Sequence, residues 1–152
     1  MQTIKYPSSQ TIIKGVDLGA IIAGSVILEL REDFSYPDFP DNIRLSYIDA
    51  LRSNSHATLG FNIDFGALTK VVFKISFYRN GNYYQQTSST FQGGQQILKP
   101  MTIVLNSTDF SNGRYQYEFS IPACDGIKIE IDSIEGGEGG QMTEIHLALR
   151  VN

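Results

Sequence analysis

The sequence predicts an all-β domain, an antiparallel two-sheet β-sandwich with a jelly-roll-like layout. Apolar and polar residues alternate along several segments, and every second side chain of a strand faces the same side of its sheet. Turn-forming residues separate these segments at near-regular spacing, as they do in sandwiches and barrels. The chain of 152 residues has the length of one domain and contains no internal repeat or linker, so we expect a single domain over 1–152.

The apolar rows identify the strands, because a half-buried antiparallel strand turns one face to the core and the other to water. Between two rows, Asn80-Gly81 accepts the positive φ that a tight hairpin turn requires. Gly93-Gly94 and the glycine-rich segment 136–140 also predict turns. The rows start at Val26, Leu59, Val71, Tyr115, Ile127 and Ile145, and a shorter row covers 102–106.

Residues 41–53 fit two patterns. A helix beginning near Asp41 would place Ile43, Tyr47, Ile48 and Leu51 on one side. A strand would instead alternate through Ile43, Leu45 and Tyr47. Because the rest of the chain reads as strands, we predict a strand for this segment.

Composition narrows the classes of function. The net charge is -4 and the basic residues are scattered, whereas a nucleic-acid binder shows a basic patch. The longest uncharged apolar stretch, 18–28, is shorter than the roughly 20 residues of a membrane helix, and it lacks the flanks of a targeting segment. The single cysteine, Cys124, excludes an internal disulfide and is predicted to be a small buried hydrophobe. We therefore expect neither nucleic acid nor membrane as a partner.

Catalytic motifs are missing from the sequence. His56 and His146 are the two histidines, and neither lies in a nucleophile elbow, a zinc-binding helix motif or a phosphate loop. Glu135 and Glu138 flank glycines and offer oxygen ligands of the kind that Ca²⁺ prefers, but their spacing matches no EF-hand loop. We predict a protein that is not an enzyme, that uses no cofactor and that carries an acidic turn in place of a metal site.

Tyrosines around the Asn80-Gly81 turn support a second function. The apolar face of a sugar packs against exposed aromatic rings, and Tyr78, Tyr83 and Tyr84 are candidates for such contacts. Tyrosines on a sheet also form stabilising cross-strand pairs, and the chain has no Trp, the largest aromatic platform. A carbohydrate-binding β-sandwich module, with carbohydrate as its partner, is the alternative function.

The order of strands and turns over residues 57–152 resembles that of small β-sandwich proteins in the virions of tailed bacteriophages. Those proteins combine an Asn-Gly turn followed by aromatics, a strand of alternating isoleucines, a glycine-rich turn and a terminal strand. Tyr83 or Tyr84 stands here where the turn usually has Trp. The matching segments are the row from Val71, the turn Arg79-Asn80-Gly81-Asn82-Tyr83-Tyr84, the row from Tyr115, Cys124 to Ile131, and Thr143 to Val151.

The resemblance implies a non-enzymatic structural protein: a capsid decoration, head–tail or tail component located in the virion and assembled in the host cytoplasm. Such a protein acts through homo-oligomerisation and contacts with other virion proteins, and no catalytic residue transfers. Uncharged polar side chains suit an interface core, where charges are depleted. Residues 1–10 are a possible N-terminal arm. The candidate protein contacts are Tyr83, Tyr84, Gln85, Gln86, Phe91, Gln95 and Gln96.

Overall fold

The computed structural model describes residues 2–5, 19–33 and 41–151, and strands dominate these ranges. One helix, α1, covers Asp41–Leu51 of the described chain. The first strands in chain order are β1 (Gln2–Lys5), β2 (Gly19–Ala20), β3 (Val26–Arg31), β4 (Ser55–Asp64), β5 (Leu68–Arg79) and β6 (Asn82–Gln85). The others are β7 (Thr87–Gln92), β8 (Gln95–Pro100), β9 (Thr102–Asn106), β10 (Gly113–Ile121), β11 (Gly126–Gly136) and β12 (Gln141–Val151).

Two antiparallel sheets pack face to face, which confirms the predicted all-β sandwich. Sheet A has the order β1-β12-β4-β10, and β2 also pairs with β12. Sheet B has the order β3-β11-β5-β6, and β9 also pairs with β5. From β3 onward the chain crosses repeatedly between the sheets, so neighbouring strands such as β12 and β4 are distant in sequence.

The predicted apolar rows line the inner faces of both sheets. On β5, Val71, Phe73, Ile75 and Phe77 are buried, whereas Lys74 points to the outer face, away from the other sheet. Phe61 of sheet A meets Phe73 of sheet B edge to face, with ring centroids 6.0 Å apart. The largest fully buried side chains include Tyr47, Phe73, Leu28, Leu30, Leu59, Ile63, Ile127, Ile129 and Ile131.

The predicted turns are present as well. Asn80 and Gly81 join β5 to β6 with φ values of 51° and 82°, the two positive values that a type I′ hairpin turn requires. Gly93 and Gly94 join β7 to β8 in the same way, with φ values of 58° and 80°. Gly136 ends β11 at a φ of 103°, and the connection to β12 follows.

The prediction of a strand over 41–53 is wrong, because residues 41–51 form α1. Tyr47, Ile48 and Leu51 are buried with helical spacing, as the rejected helical pattern required, whereas Leu45 is 50% exposed. A strand would have placed Leu45 and Tyr47 on the same face. The Tyr47 hydroxyl donates to the carbonyl of Leu147 at 2.7 Å and so attaches α1 to β12.

Part of the predicted N-terminal arm is a strand of sheet A. Residues 2–5 pair with β12, with Gln2 opposite Val151 and Lys5 opposite Ala148. Residue 1 and residues 6–10 of that predicted arm lie outside the described ranges. Within the described chain, no helix has the length and apolar character needed to cross a membrane.

Candidate functional site

A two-stranded arm, residues 87–100, leaves the edge of sheet B. β6 and β9 lie end to end along one edge of β5, where β6 pairs with 76–79 and β9 with 70–74. Between them the chain departs at Gln86 and returns at Met101, whose N–H donates to the Gln86 carbonyl at 2.7 Å. The paired strands of the arm, β7 and β8, have no extensive contact with any other described element.

The surface of the arm is mostly uncharged and partly apolar. Phe91 is 77% exposed and Leu98 is 67% exposed. Phe91 lies opposite Gln96 and Leu98 lies opposite Ser89, so the two apolar side chains are diagonal neighbours on one face. Lys99 is the arm's one charged residue. The arm therefore carries two large apolar side chains that the described chain does not cover.

A groove of about 830 Å³ opens beside the root of the arm. Sheet A supplies Ser55, Ser120 and Ile121 to its wall, and sheet B supplies Phe77 and Tyr84. Tyr84 pairs with Phe77 across the β5–β6 hairpin, yet it is 53% exposed because it reaches the open end of the sandwich. The other lining residues are Asn54, Arg79, Asn80, Gln85, Gln86, Thr87, Pro122, Ala123 and Cys124, so Arg79 is the charged one.

Tyr78 and Tyr83 lie on the outer face of sheet B, where cations cover their rings. The Arg31 guanidinium carbon is 4.0 Å from the centre of the Tyr78 ring, and the Lys128 Nζ is 4.1 Å from that of Tyr83. Each distance fits a cation–π contact. The Tyr83 hydroxyl donates to the buried Glu29 carboxylate. Burial and the neighbouring Glu29 carboxylate raise the pKa of the Tyr83 hydroxyl well above its ordinary value.

The predicted contact residues therefore separate into three places. Tyr83 belongs to the outer face of sheet B, and Tyr84 belongs to the groove. Gln85 and Gln86 are half-buried where the arm begins. Phe91, Gln95 and Gln96 are exposed on the arm, where Gln95 flanks the turn and Gln96 faces Phe91.

Two features of this surface were missed in the sequence. Leu98 joins Phe91 on one face of the arm, a pairing that the two-residue turn at Gly93-Gly94 fixes and that the sequence therefore signals. The groove beside Tyr84 combines β4, β5, β6 and β10, and no local pattern indicates it.

The histidines do not share a site. Both lie on the outer face of sheet A, where His146 is opposite Gly60 and His56 is four residues earlier on β4. Their separation along the strand is about 13 Å, at about 3.3 Å per residue. His56 Nε2 is 3.9 Å from the carboxylate of Glu118, and His146 Nδ1 is 3.3 Å from the carbonyl of Glu144.

The carboxylates of the predicted acidic turn do not form a cluster. Glu135 and Glu138 are exposed to solvent on either side of the glycines. Among the residues that the structure describes, no three His, Cys, Asp or Glu side chains lie close enough together to hold a metal ion. Calcium binding at this turn therefore has no geometric support in the described chain.

Cys124 is buried, as predicted, and is among the residues that line the groove. Its backbone N–H donates to the carbonyl of Leu51 at 3.1 Å, which connects the β10–β11 loop to the end of α1. Burial raises the pKa of the thiol to about 11, so the thiol stays protonated at neutral pH and is a poor nucleophile.

Comparisons of the chain with protein-family models, curated proteins and solved structures find no match in any of the three. The arm, the groove and the edges of the sheets are therefore interpreted from their own contacts.

Proposed function

We propose that this chain is a non-enzymatic structural protein of a tailed-phage virion, a capsid decoration, head–tail or tail component. It acts through homo-oligomerisation and through contacts with other virion proteins. The observation that carries the proposal is the β7–β8 arm, which has exposed Phe91 and Leu98 and no packed face in the described chain. A two-stranded hairpin on its own is marginally stable in water, so a second protein surface is the natural support for this one.

The way the arm is attached to sheet B suits a segment that binds another protein. Both ends continue into strands of sheet B, and the Gln86–Met101 hydrogen bond closes the root. The root is therefore held by the sandwich, and docking the arm orders fewer residues than docking a free tail would. Apart from Lys99 its surface carries no charge, so it costs little to desolvate, which supports burial against a neighbouring protein.

The resemblance of residues 57–152 to phage sandwich proteins is the basis for proposing that the chain is located in a virion. A protein of this kind is built in the host cytoplasm and is retained in the finished particle. The direct test is to purify particles of the phage that encodes this chain on a density gradient and quantify the chain by mass spectrometry. We expect a fixed ratio to the major capsid protein. Recovery of the chain only in the particle-free lysate would contradict the proposal.

The role of the arm has a separate test. We expect the double variant Phe91→Ser with Leu98→Ser to weaken binding to the particle about a hundredfold or more and so to reduce incorporation, because two apolar anchors are lost at about 1.5–3 kcal/mol each. The matched control is Ile22→Ser with Leu45→Ser, which removes two exposed apolar side chains away from the arm. Equal incorporation of both double variants would exclude the arm as the contact element.

A carbohydrate-binding module remains the second candidate because of one observation in the groove. Tyr84 lines the groove and is 53% exposed, so its ring offers a surface on which the apolar face of a sugar can pack. The rings of Tyr78 and Tyr83, by contrast, already contact Arg31 and Lys128.

A glycan array distinguishes the two functions. Saturable binding that Tyr84→Ala abolishes and the arm variant Phe91→Ser preserves would establish the sugar site. We expect no such binding if the chain is a virion component that acts by protein contacts alone.

A further inference from the structure

Strand β10 forms a long regular edge of sheet A. It pairs with β4 from Gly113 opposite Ile63 to Ile121 opposite Ser55 without a register shift, and no other described strand pairs with its far side. A strand edge presents a row of N–H and C=O groups that can pair with another chain. Prolines and bulges commonly block such edges, and β10 has neither. Its backbone is therefore suited to pairing with a second strand.

The sequence of this edge is self-complementary. Arg114-Tyr115-Gln116-Tyr117-Glu118 has the same residue types on both sides of Gln116, except that one end is positive and the other negative. When two copies of such a strand pair antiparallel about Gln116, Arg114 of each copy lies opposite Glu118 of the other. Tyr115 then lies opposite Tyr117, and both pairs recur on the other side of the axis.

The charged side chains at this edge are accessible. Arg114 and Glu118 lie on the outer face of sheet A, and their side chains are 76% and 64% exposed. Arg114 contacts Glu144 of the same chain at 2.7 Å, but a guanidinium has five N–H donors and can bind two carboxylates. Directly opposed residues of an antiparallel pair are close enough for such a contact.

The charges also select the register. If the pairing is centred on Arg114 or on Glu118, like charges lie directly opposite each other, which is unfavourable. If it is centred on Tyr115 or Tyr117, neither charge meets its opposite. Centring on Gln116 creates two opposite-charge pairs and keeps the outer faces of both sheets on one side. The edge therefore favours one register over its neighbours.

We propose that β10 pairs antiparallel with β10 of a second copy about a two-fold axis at Gln116, so that two A sheets become one continuous sheet. The contact is isologous, because each copy contributes the same residues. This inference deepens the homo-oligomerisation in the proposed function and rests on it. The β7–β8 arm leaves the edge of sheet B and remains a separate surface for other partners.

Charge reversal tests the pairing. Light scattering over a concentration series should show a dimer of the wild-type chain at low salt. Arg114→Glu and Glu118→Arg should each weaken the dimer at least tenfold, because each creates two like-charge contacts. The double variant R114E/E118R should restore it, because the reversed edge is complementary again. Glu144→Gln is the control, since it removes the intrachain partner of Arg114 and should leave the dimer intact.

Crosslinking tests the register. In a Cys124→Ala background, Gln116→Cys places two thiols opposite each other at the axis, and a short bismaleimide should join the two copies. Thr58→Cys lies on the same face of the neighbouring strand β4 and should give little crosslinked dimer. A wild-type monomer at all concentrations, or a dimer that neither single reversal weakens, would overturn the β10 pairing. The virion proposal would survive either result, because particle content decides it.

Discussion

At the scale of single residues, two glycines on the outer faces of the sheets show how the surroundings determine how much stability a glycine-to-alanine substitution costs. Gly126 on β11 lies between Arg31 and Tyr78, and the missing side chain lets Arg31 cross the strand to the Tyr78 ring. A Cβ there would be 2.5 Å from the carbonyl oxygen of Leu30. At Gly60 the obstacle is instead the imidazole of His146, 2.1 Å from the added Cβ, and that ring can rotate away.

Gly126→Ala should therefore lower the free energy of unfolding by about 2 kcal/mol, within the range for overpacking against fixed atoms. Gly60→Ala should cost less than about 1 kcal/mol, because a surface side chain absorbs the clash. Urea denaturation of both variants measures the difference. A larger loss at Gly60 than at Gly126 would show that the His146 ring is held more firmly than the β3 backbone.

Cys124 gives the stability a defined dependence on alkaline pH. Its pKa is about 11 in the folded chain, against 9.0 for an exposed thiol, because burial disfavours the thiolate. Between these values the unfolded chain loses a proton that the folded chain keeps, so the thiol's contribution is intact below about pH 9 and is lost as pH rises toward 11. The difference in unfolding free energy between wild type and Cys124→Ala should fall over this window. A difference that stays constant from pH 8 to about 11 would contradict the raised pKa.

At the scale of elements, the arm should be dispensable for folding. Asn-Gly in place of residues 87–100 would close the Gln86–Met101 pair with a two-residue turn. Because the arm has no extensive contact with any other described element, we expect a melting temperature within about 4 °C of wild type, equivalent to about 1 kcal/mol for a domain of this size. Circular dichroism measures it. A larger drop would mean that the arm supports the sandwich.

The strands were predictable from the sequence and the helix was not. On β5 and β11, alternation leaves a single possible face for the core, and turns such as Asn80-Gly81 have few conformations to adopt. The apolar residues of 41–51 fit both the helical and the strand repeat. The strand was then predicted because the rest of the chain reads as strands, and that prediction was wrong. Burial of Ile48 beside Tyr47 decides for a helix, because consecutive residues of a half-buried strand face opposite sides.

The candidate site was also predictable only in part, because local patterns show which residues are exposed but not which segments meet in the fold. Phe91, Gln95 and Gln96 are exposed as expected, since a Gly-Gly turn between short polar strands gives a surface hairpin. Tyr83 and Tyr84 are adjacent in sequence but point to opposite faces of β6. Tyr83 contacts Glu29 and Lys128 on the outer face of sheet B, whereas Tyr84 lines the groove.

At the scale of the whole molecule, a single core joins the two sheets and α1. Buried residues of sheet A, sheet B and α1 form one continuous apolar cluster. We therefore expect unfolding to be two-state, with coincident transitions in far-UV and near-UV circular dichroism, the latter reporting on the tyrosines. Transitions that separate would indicate that one sheet survives without the other, and the shared core would then contribute less than its continuity suggests.

Local sequence patterns were enough to predict which side of the main strands is buried, where the hairpins turn and that the fold is all-β. These properties depend on side-chain directions and backbone conformations within a few residues. The three-dimensional structure was needed to show that β12 lies beside β4, that β6 and β9 share one edge of β5, and that β10 is the last described strand of sheet A. The reason is physical: alternation is identical for every strand order, whereas pairing depends on hydrogen bonds and shared burial between segments that are remote in the chain.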